Sequence, residues 1–255
     1  MRKWRSIAVV LAHVAAYVAL YQLAHIIYQK PILPSLDALW QSLMGMDEAS
    51  VLAAYKATYS RWFVVFVVGA GTGGVCGGIL GFFPRLGRFF TFDIDFWRSL
   101  PATVLVQFFF ALFGDNEVTR AAPALYLMFF TTAYYVSRAG ASIDRRRFSH
   151  LKQLGASTWF VIRESYVYEV LPAFMIALRQ GVSLAFLVLI STELIIGSSN
   201  NTGIGNRLVD WLFYASYANV VITILLLGLS GYLANIVAKI IQSRLIYWRD
   251  PRQEL

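Results

Sequence analysis

The 255-residue sequence predicts an all-α membrane protein with six transmembrane helices and both termini in the cytoplasm. Three observations support this fold class. Hydrophobic residues make up 58% of the chain and charged residues only 14%, whereas about 25% charged residues is usual in a soluble domain. Several apolar runs approach the ~20 residues that a spanning helix needs. The basic residues are concentrated in the short intervals between these runs, which is typical of cytoplasmic loops.

The apolar runs define six candidate spans. The first follows a basic stretch that resembles the start of a signal peptide. It is long enough to span, and no small-residue cleavage site follows it, so it is expected to remain as an anchor. The third is short and opens with Pro101, and the fifth is long enough to tilt. The predicted spans are Ser6–Tyr28, Trp62–Phe83, Leu100–Phe113, Ala121–Val136, Leu171–Gly197 and Ala218–Ile241.

The distribution of basic residues predicts the orientation. With the N-terminus in the cytoplasm, most of the 22 lysine and arginine residues fall on the cytoplasmic side, as the positive-inside rule requires. An even number of spans then places both termini inside. The net charge of +8 is compatible with either nucleic acid or a membrane surface. Basic residues in short loops favour membrane lipid, so no nucleic-acid partner is expected.

The chain is expected to form one membrane domain. Residues 1–60 comprise the anchor helix and an outer loop in which Asp37–Leu43 begins a short surface helix. Residues 61–255 comprise a five-helix core with a cytoplasmic loop at 138–170. A further outer loop at 200–205 is rich in turn-forming residues.

The second span carries glycines at every fourth position, namely Gly69, Gly73, Gly77 and Gly81. Such a stripe lets a neighbouring helix backbone approach closely, so it predicts tight helix packing. The same segment matches G-x-G-x-x-G. A dinucleotide site requires a strand before that motif, and here a membrane span stands in its place.

Two ionisable residues, Arg179 and Glu193, lie inside the fifth span. They are 14 residues apart, or about 21 Å along a helix, so they cannot pair within one straight helix. Charge is unfavourable in a membrane and usually faces a polar cavity or a partner. Two interpretations remain open: bonds to neighbouring helices or snorkelling to the surface, and contact with a transported solute.

The cytoplasmic loop between the fourth and fifth spans is too short for an enzyme domain. Leu151, Leu154, Val161 and Ile162 are expected to form one apolar face of two short helices, with a sharp break at Gly155. An exposed apolar face beside three arginines favours a soluble partner that covers it. The alternative is a helix that lies on anionic lipid.

Sequence motifs for catalysis are missing from the chain. It contains no phosphate-binding loop, no His-Glu-x-x-His and no cluster of metal ligands, and its three histidines are far apart. Its one cysteine, Cys76, lies in an apolar run and cannot form an intramolecular disulfide. We therefore expect no catalytic residue and no metal site in this chain.

The cytoplasmic loop contains Leu154-Gly155-Ala156-Ser157, and Pro172 follows it. This pattern resembles the Glu-Ala-Ala-x-x-x-Gly motif of permease subunits of type I ABC importers, most closely the nitrate/sulfonate/taurine group. Ser149-His150-Leu151 stands where that family has Glu-Ala-Ala. Further matches in the family's order are Leu33-Pro34-Ser35, Tyr59-Ser60-Arg61, Leu100-Pro101, Ala177-Leu178-Arg179, Thr192-Glu193 and Gly203-Ile204-Gly205.

The resemblance implies a mechanism and a set of partners. A homodimer of the permease forms the solute pathway in the bacterial inner (plasma) membrane. A separate ATP-binding (ATPase) subunit uses ATP and docks on the cytoplasmic loop, and a solute-binding protein delivers solute from outside. This chain is then expected to bind no cofactor and to be no enzyme. The expected coupling residues are Ser149, His150, Leu151, Leu154, Gly155, Ala156 and Ser157.

The expected solute is a small anion of the nitrate, sulfonate, taurine or bicarbonate type, with Arg179 and Glu193 on its pathway. An ion channel or secondary transporter that needs no ATPase is the main alternative. A membrane-embedded enzyme is a third, weakened by the missing catalytic cluster. Co-purification of a soluble ATPase separates the first two classes.

Overall fold

The computed structural model describes residues 2–197 and 203–246, which are helical almost throughout and contain no strand. The all-α fold class is therefore confirmed. The outer loop at 200–205 is described only from Gly203 onward, and the C-terminus lies beyond the described residues. The helices are α1 (Arg2–Tyr28), α2 (Leu36–Gly45), α3 (Glu48–Phe82), α4 (Pro84–Ser99), α5 (Leu105–Phe113), α6 (Glu117–Ser142), α7 (Arg145–Gln153), α8 (Thr158–Val161), α9 (Val167–Ile196), α10 (Ile204–Phe213) and α11 (Tyr217–Leu245).

Among the described residues, three helices are long and apolar enough to cross a membrane. They are α3, the continuous helix Thr158–Ile196 that contains α8 and α9, and α11. By length alone, α1 with 27 residues and α6 with 26 residues also exceed the ~30 Å thickness of a hydrocarbon core. The number of spans and the orientation stay predictions.

The predicted third span, Leu100–Phe113, is not one continuous helix. Its helical part, α5, has nine residues and is about 13 Å long, less than half of what a bilayer core requires. The preceding helix α4 lies along α6, where Asp95 accepts from Arg138 at 2.8 Å and the Tyr126 hydroxyl donates to the Trp97 carbonyl. α4 and α5 therefore run beside α6 as two shorter helices.

Helix α3 starts earlier than the sequence predicts. It begins at Glu48, so residues 48–60, which were expected to be outer loop, form its N-terminal part. No proline occurs between Asp47 and Phe83, so nothing interrupts the helix before Pro84. The short helix expected from Asp37 is present as α2.

The glycine stripe lies against α6. Gly69 faces Met128, Gly73 faces Phe129, Gly77 faces Ala133 and Gly81 faces Gly140. A Cβ atom added to Gly77 would lie 2.6 Å from the carbonyl oxygen of Ala133 and 2.9 Å from its Cα. Real Cβ atoms do not approach backbone so closely, so the two helices meet at this distance only because the stripe lacks side chains.

A π-helical turn, Ile162–Tyr166, joins α8 to α9 without a break. Turns of this kind hold one extra residue and occur often at functional positions. This one ends at Tyr166, whose hydroxyl donates to the carbonyl of Gly78 in α3 at 2.7 Å.

The end of the bundle that carries Gly155 is called the coupling end below, and the end that carries Glu193 is called the far end.

A methyl group added to Gly77 is expected to loosen the contact between α3 and α6. The Ala133 backbone cannot move away without shifting the whole helix, so Gly77→Ala should lower the free energy of unfolding by about 1–3 kcal/mol. The adjacent Gly78 has open space at its Cβ position, so Gly78→Ala is the matched control. Melting temperatures in detergent compare them, and equal values would contradict the role of the stripe.

Candidate functional site

The coupling end is built from a helix, a turn and a second helix. The Asp144 side chain accepts from the Arg146 N–H at 3.0 Å and so caps the start of α7. Gly155 follows α7 with φ of +85°, a left-handed conformation that favours glycine. The Ser157 hydroxyl then caps α8 by accepting from the Phe160 N–H at 3.2 Å. The predicted break at Gly155 is confirmed.

The tip of this loop exposes large apolar side chains. Leu154 is 84% exposed and Trp159 is 70% exposed, and Phe160 is exposed beside them. Phe148 and Val161 point the other way, into a buried cluster with the ends of α6 and α9. Phe148 and Val161 therefore fix the loop to the helix bundle, and the apolar tip faces away from the bundle. Of the predicted coupling residues, Ser149, His150, Leu154, Gly155 and Ser157 are exposed, and Leu151 and Ala156 are half-buried.

The expectation of one shared apolar face is wrong. Val161 is buried in the chain's own core, Leu151 and Ile162 are half-buried, and only Leu154 of the four points outward. The turn at Gly155 redirects the chain, so residues on its two sides no longer follow one helical period. The apolar tip depends instead on Trp159 together with Leu154.

Glu193 lies at the far end and is fully buried. One carboxylate oxygen accepts from the Arg61 guanidinium at 2.7 Å. The Thr58 hydroxyl lies 2.9 and 2.8 Å from the two oxygens, and the Gly205 N–H donates to the carboxylate at 3.0 Å. The idea that Glu193 snorkels to the surface is therefore wrong, because its charge is satisfied inside the bundle.

Arg61 connects this buried carboxylate to the surface. Its Nε and Nη2 atoms donate to the two carboxylate oxygens of Glu117 at 2.5 and 2.8 Å. This is a bidentate pair, the geometry in which arginine and carboxylate bind most strongly. The Glu117 side chain is 65% exposed, whereas that of Glu193 is inaccessible. One guanidinium therefore joins α3 to both α6 and α9.

The Gly203-Ile204-Gly205 segment fits closely over Glu193. A Cβ atom on Gly203 would lie 2.5 Å from the carboxylate carbon of Glu193, and one on Gly205 would lie 2.5 Å from its Cβ. The Ile204 N–H donates to the Thr58 hydroxyl at 2.9 Å. Both glycines are needed for this approach, and they fix the start of α10 on α3 and α9.

Sequence reasoning assigns no role to Thr58 or Arg61, because both precede the predicted second span, although Arg61 falls in the family match Tyr59-Ser60-Arg61. One signal was available. Arg61 and Val65 continue the glycine stripe backward at the same four-residue spacing, which places Arg61 on the face that packs against α6. Both residues are buried in the structure.

Arg179 lies on the surface of the described chain, midway along the bundle. Two residues on, Gly181 faces the side chain of Met128, near the middle of α6. One turn beyond Arg179, the Ser183 hydroxyl accepts from the Asn235 amide at 2.6 Å, and Gln180 is also exposed. The structure therefore gives Arg179 and Glu193 different surroundings, one exposed at mid-depth and one buried at the far end.

A model of the family described as binding-protein-dependent transport system inner membrane component matches residues 69–247. The chain belongs to this family. The matched range runs from the first glycine of the stripe to just beyond α11, and it includes the coupling end and Glu193. The expected membership among ABC importer permeases is thereby confirmed.

Individual relatives are distant but cover most of the chain. A Bacillus subtilis (strain 168) protein named as an aliphatic sulfonates transport permease is 23% identical over 185 residues, which is 72% of this chain and 66% of that protein. A Brucella abortus (strain 2308) protein named as an ABC transporter permease is 19% identical, with 86% and 87% coverage. A chain of the MetNI methionine ABC transporter in an inward-facing conformation superposes with a TM-score of 0.54 at 18% identity. It covers 83% of this chain and 99% of that one, which shows a shared fold.

Removing the charge of Glu193 is expected to destabilise the far end far more than removing that of Glu117. Both carboxylates bind Arg61, but only Glu193 is buried. Glu193→Gln should lower the free energy of unfolding by about 3–5 kcal/mol, whereas Glu117→Gln should change it by about 1 kcal/mol or less. Thermal unfolding in detergent tests both variants. A Glu193→Gln variant as stable as Glu117→Gln would show that burial does not set the strength of this network.

Proposed function

We propose that this protein is the permease subunit of an ATP-driven importer, with a separate ATPase subunit docked on the Gly155 loop. The observation that carries the proposal is the apolar tip of that loop, in which Leu154 and Trp159 are largely exposed. The tip lies within residues 69–247, the range that matches the family of binding-protein-dependent transport permeases. Two copies of the chain form the solute pathway, and a solute-binding protein delivers the solute.

One side of the loop is fixed to the bundle, and the other side is suited to contact a partner protein. Phe148 and Val161 hold the side of the loop that faces the bundle, so the position of the loop follows that of the membrane helices. The other side presents an aromatic and an aliphatic side chain, the kind of anchor that fills a pocket on a partner. Large apolar side chains that are exposed together and rimmed by polar residues are typical of a protein contact.

The proposed mechanism is alternating access, driven by ATPase subunits that bind the coupling end of the bundle. ATP binding draws the two ATPase subunits together, and each loop follows the subunit on which it docks. The helices then move as rigid bodies, because packed interfaces switch between discrete arrangements rather than deforming smoothly. In this proposal the coupling end is cytoplasmic, the far end is external and the chain crosses a bacterial inner membrane several times.

The proposed solute is a small anion, of the nitrate, sulfonate, taurine or bicarbonate type. Arg179 supports this proposal because it is exposed at mid-depth, where a charged side chain is tolerated only beside a cavity or a partner. Guanidinium, amide and hydroxyl donors such as Arg179, Gln180 and Ser183 suit oxyanions. The Bacillus relative is named for sulfonates. Glu193, being buried, supports the pathway by holding α3, α9 and α10 together.

An acidic residue at the tip of the loop is expected to release the ATPase. Leu154→Glu places a charge where the partner buries an apolar side chain, so co-purification of the ATPase subunit should fall at least about tenfold. Leu43→Glu, at an exposed leucine of α2, is the matched control and should retain the subunit. Retention by both variants would contradict docking on this loop and favour a channel or secondary transporter.

Loss of the Arg179 charge is expected to slow transport without disturbing assembly. Arg179→Ala removes the proposed charge-assisted hydrogen bonds to the solute, worth about 1.5–3 kcal/mol, so the uptake rate of an oxyanion at sub-saturating concentration in proteoliposomes should fall about tenfold or more. Arg179→Lys should retain part of the rate. Arg88→Ala, at an exposed arginine of α4, is the control. An unchanged rate in Arg179→Ala would remove this residue from the pathway.

A further inference from the structure

Arg145, the first residue of α7, reaches back from the loop to the end of α3. Its Nη1 atom donates to the Phe82 carbonyl at 2.7 Å, and its Nη2 atom donates to the Gly81 carbonyl at 2.5 Å. The last carbonyls of a helix have no donor within the helix and carry its partial negative charge. Two N–H donors held in a fixed fork by one planar guanidinium therefore bind two adjacent carbonyls at the end of α3.

Aromatic rings hold this guanidinium in place. Its central carbon lies 5.7 Å from the ring centre of Phe82 and 5.6 Å from that of Phe148. The two rings are 6.1 Å apart and belong to α3 and α7. Contacts of this kind between a cation and aromatic rings are favourable, so Arg145 is fixed both by its hydrogen bonds and by the rings.

Tyr166 makes a second attachment, on the other side of the loop. Its hydroxyl donates to the Gly78 carbonyl at 2.7 Å. The same hydroxyl would lie 2.6 Å from a Cβ atom on Gly81, so it fills the space that the glycine leaves. Its ring meets Phe82 edge-on at 5.1 Å. The residue that ends the π-helical turn is thus bound to α3 one turn before the carbonyls that bind Arg145.

We propose that Arg145 and Tyr166 form a clamp that transmits the displacement of the Gly155 loop to α3. The inference rests on the proposed function, in which the loop receives the motion of an ATPase. One attachment precedes the loop and the other follows it, and both end on the last residues of α3. Because the glycine stripe packs α3 directly on α6, a displacement at the clamp moves both helices together. Arg145 and Tyr166 are positioning residues and touch no solute.

The neighbouring arginines have different surroundings. Arg147 pairs with Glu169 of α9 at 2.8 Å, and Arg146 is exposed. Among the three, the described contacts with the α3 carbonyls come from Arg145. Arg146→Gln therefore removes the same charge from the same helix without removing the clamp, and it serves as the matched control.

The experiment reconstitutes each variant with its ATPase subunit and binding protein in proteoliposomes and measures uptake per ATP hydrolysed. Arg145→Gln and Tyr166→Phe should both retain the ATPase subunit and hydrolyse ATP, while uptake per ATP falls about fivefold or more. Arg145→Lys keeps the charge but lacks the fork, so it should show a smaller loss. Arg146→Gln should match the unmodified protein.

The outcomes separate the clamp from the function on which it rests. Unchanged uptake per ATP in Arg145→Gln overturns the clamp, and so does loss of the ATPase subunit, which would make Arg145 a docking residue. If Arg145→Gln does not fold, Tyr166→Phe decides, because it removes one hydroxyl and leaves the ring. If the unmodified protein retains no ATPase, the proposed function fails and the clamp fails with it.

Discussion

The close contact between α3 and α6 is the constraint on which the rest of the structure depends. Four glycines let the two backbones meet along most of their shared length. That distance brings Arg61 to Glu117 at the far end and places the α3 terminus beneath Arg145 at the coupling end. A larger side chain anywhere in the stripe would separate the helices and disturb both ends.

The charged network at the far end is compatible with an apolar bundle because both carboxylate oxygens of Glu193 accept hydrogen bonds. A buried ion pair stabilises a fold only when its geometry is good and its remaining lone pairs are satisfied. Arg61, Thr58 and the Gly205 N–H meet that requirement. The exposed Glu117 holds the other edge of the guanidinium, so the arginine is oriented from both sides. The network thereby fixes which faces of α3, α9 and α10 meet.

The sequence was informative wherever a structure depends on local composition. Apolar content predicted the all-α class, and spacing predicted the glycine stripe and the break at Gly155. Sequence reasoning fails where tertiary pairing decides: the apolar pattern leaves Arg61 outside the second span, and it predicts an exposed face for Val161, whereas both residues are buried. Arg179 was located by counting along one helix, and its depth in the bundle became clear only from the neighbouring α6.

The unbroken helix from Thr158 to Ile196 has 39 residues and is about 58 Å long, nearly twice the thickness of a hydrocarbon core. It carries Trp159 near one end and Glu193 near the other, and Gly181 lies between them against Met128. This contact lies near the middle of both helices. In the proposed mechanism, a small rotation of this helix about its middle displaces its two ends in opposite directions, so narrowing at one side of the membrane accompanies widening at the other.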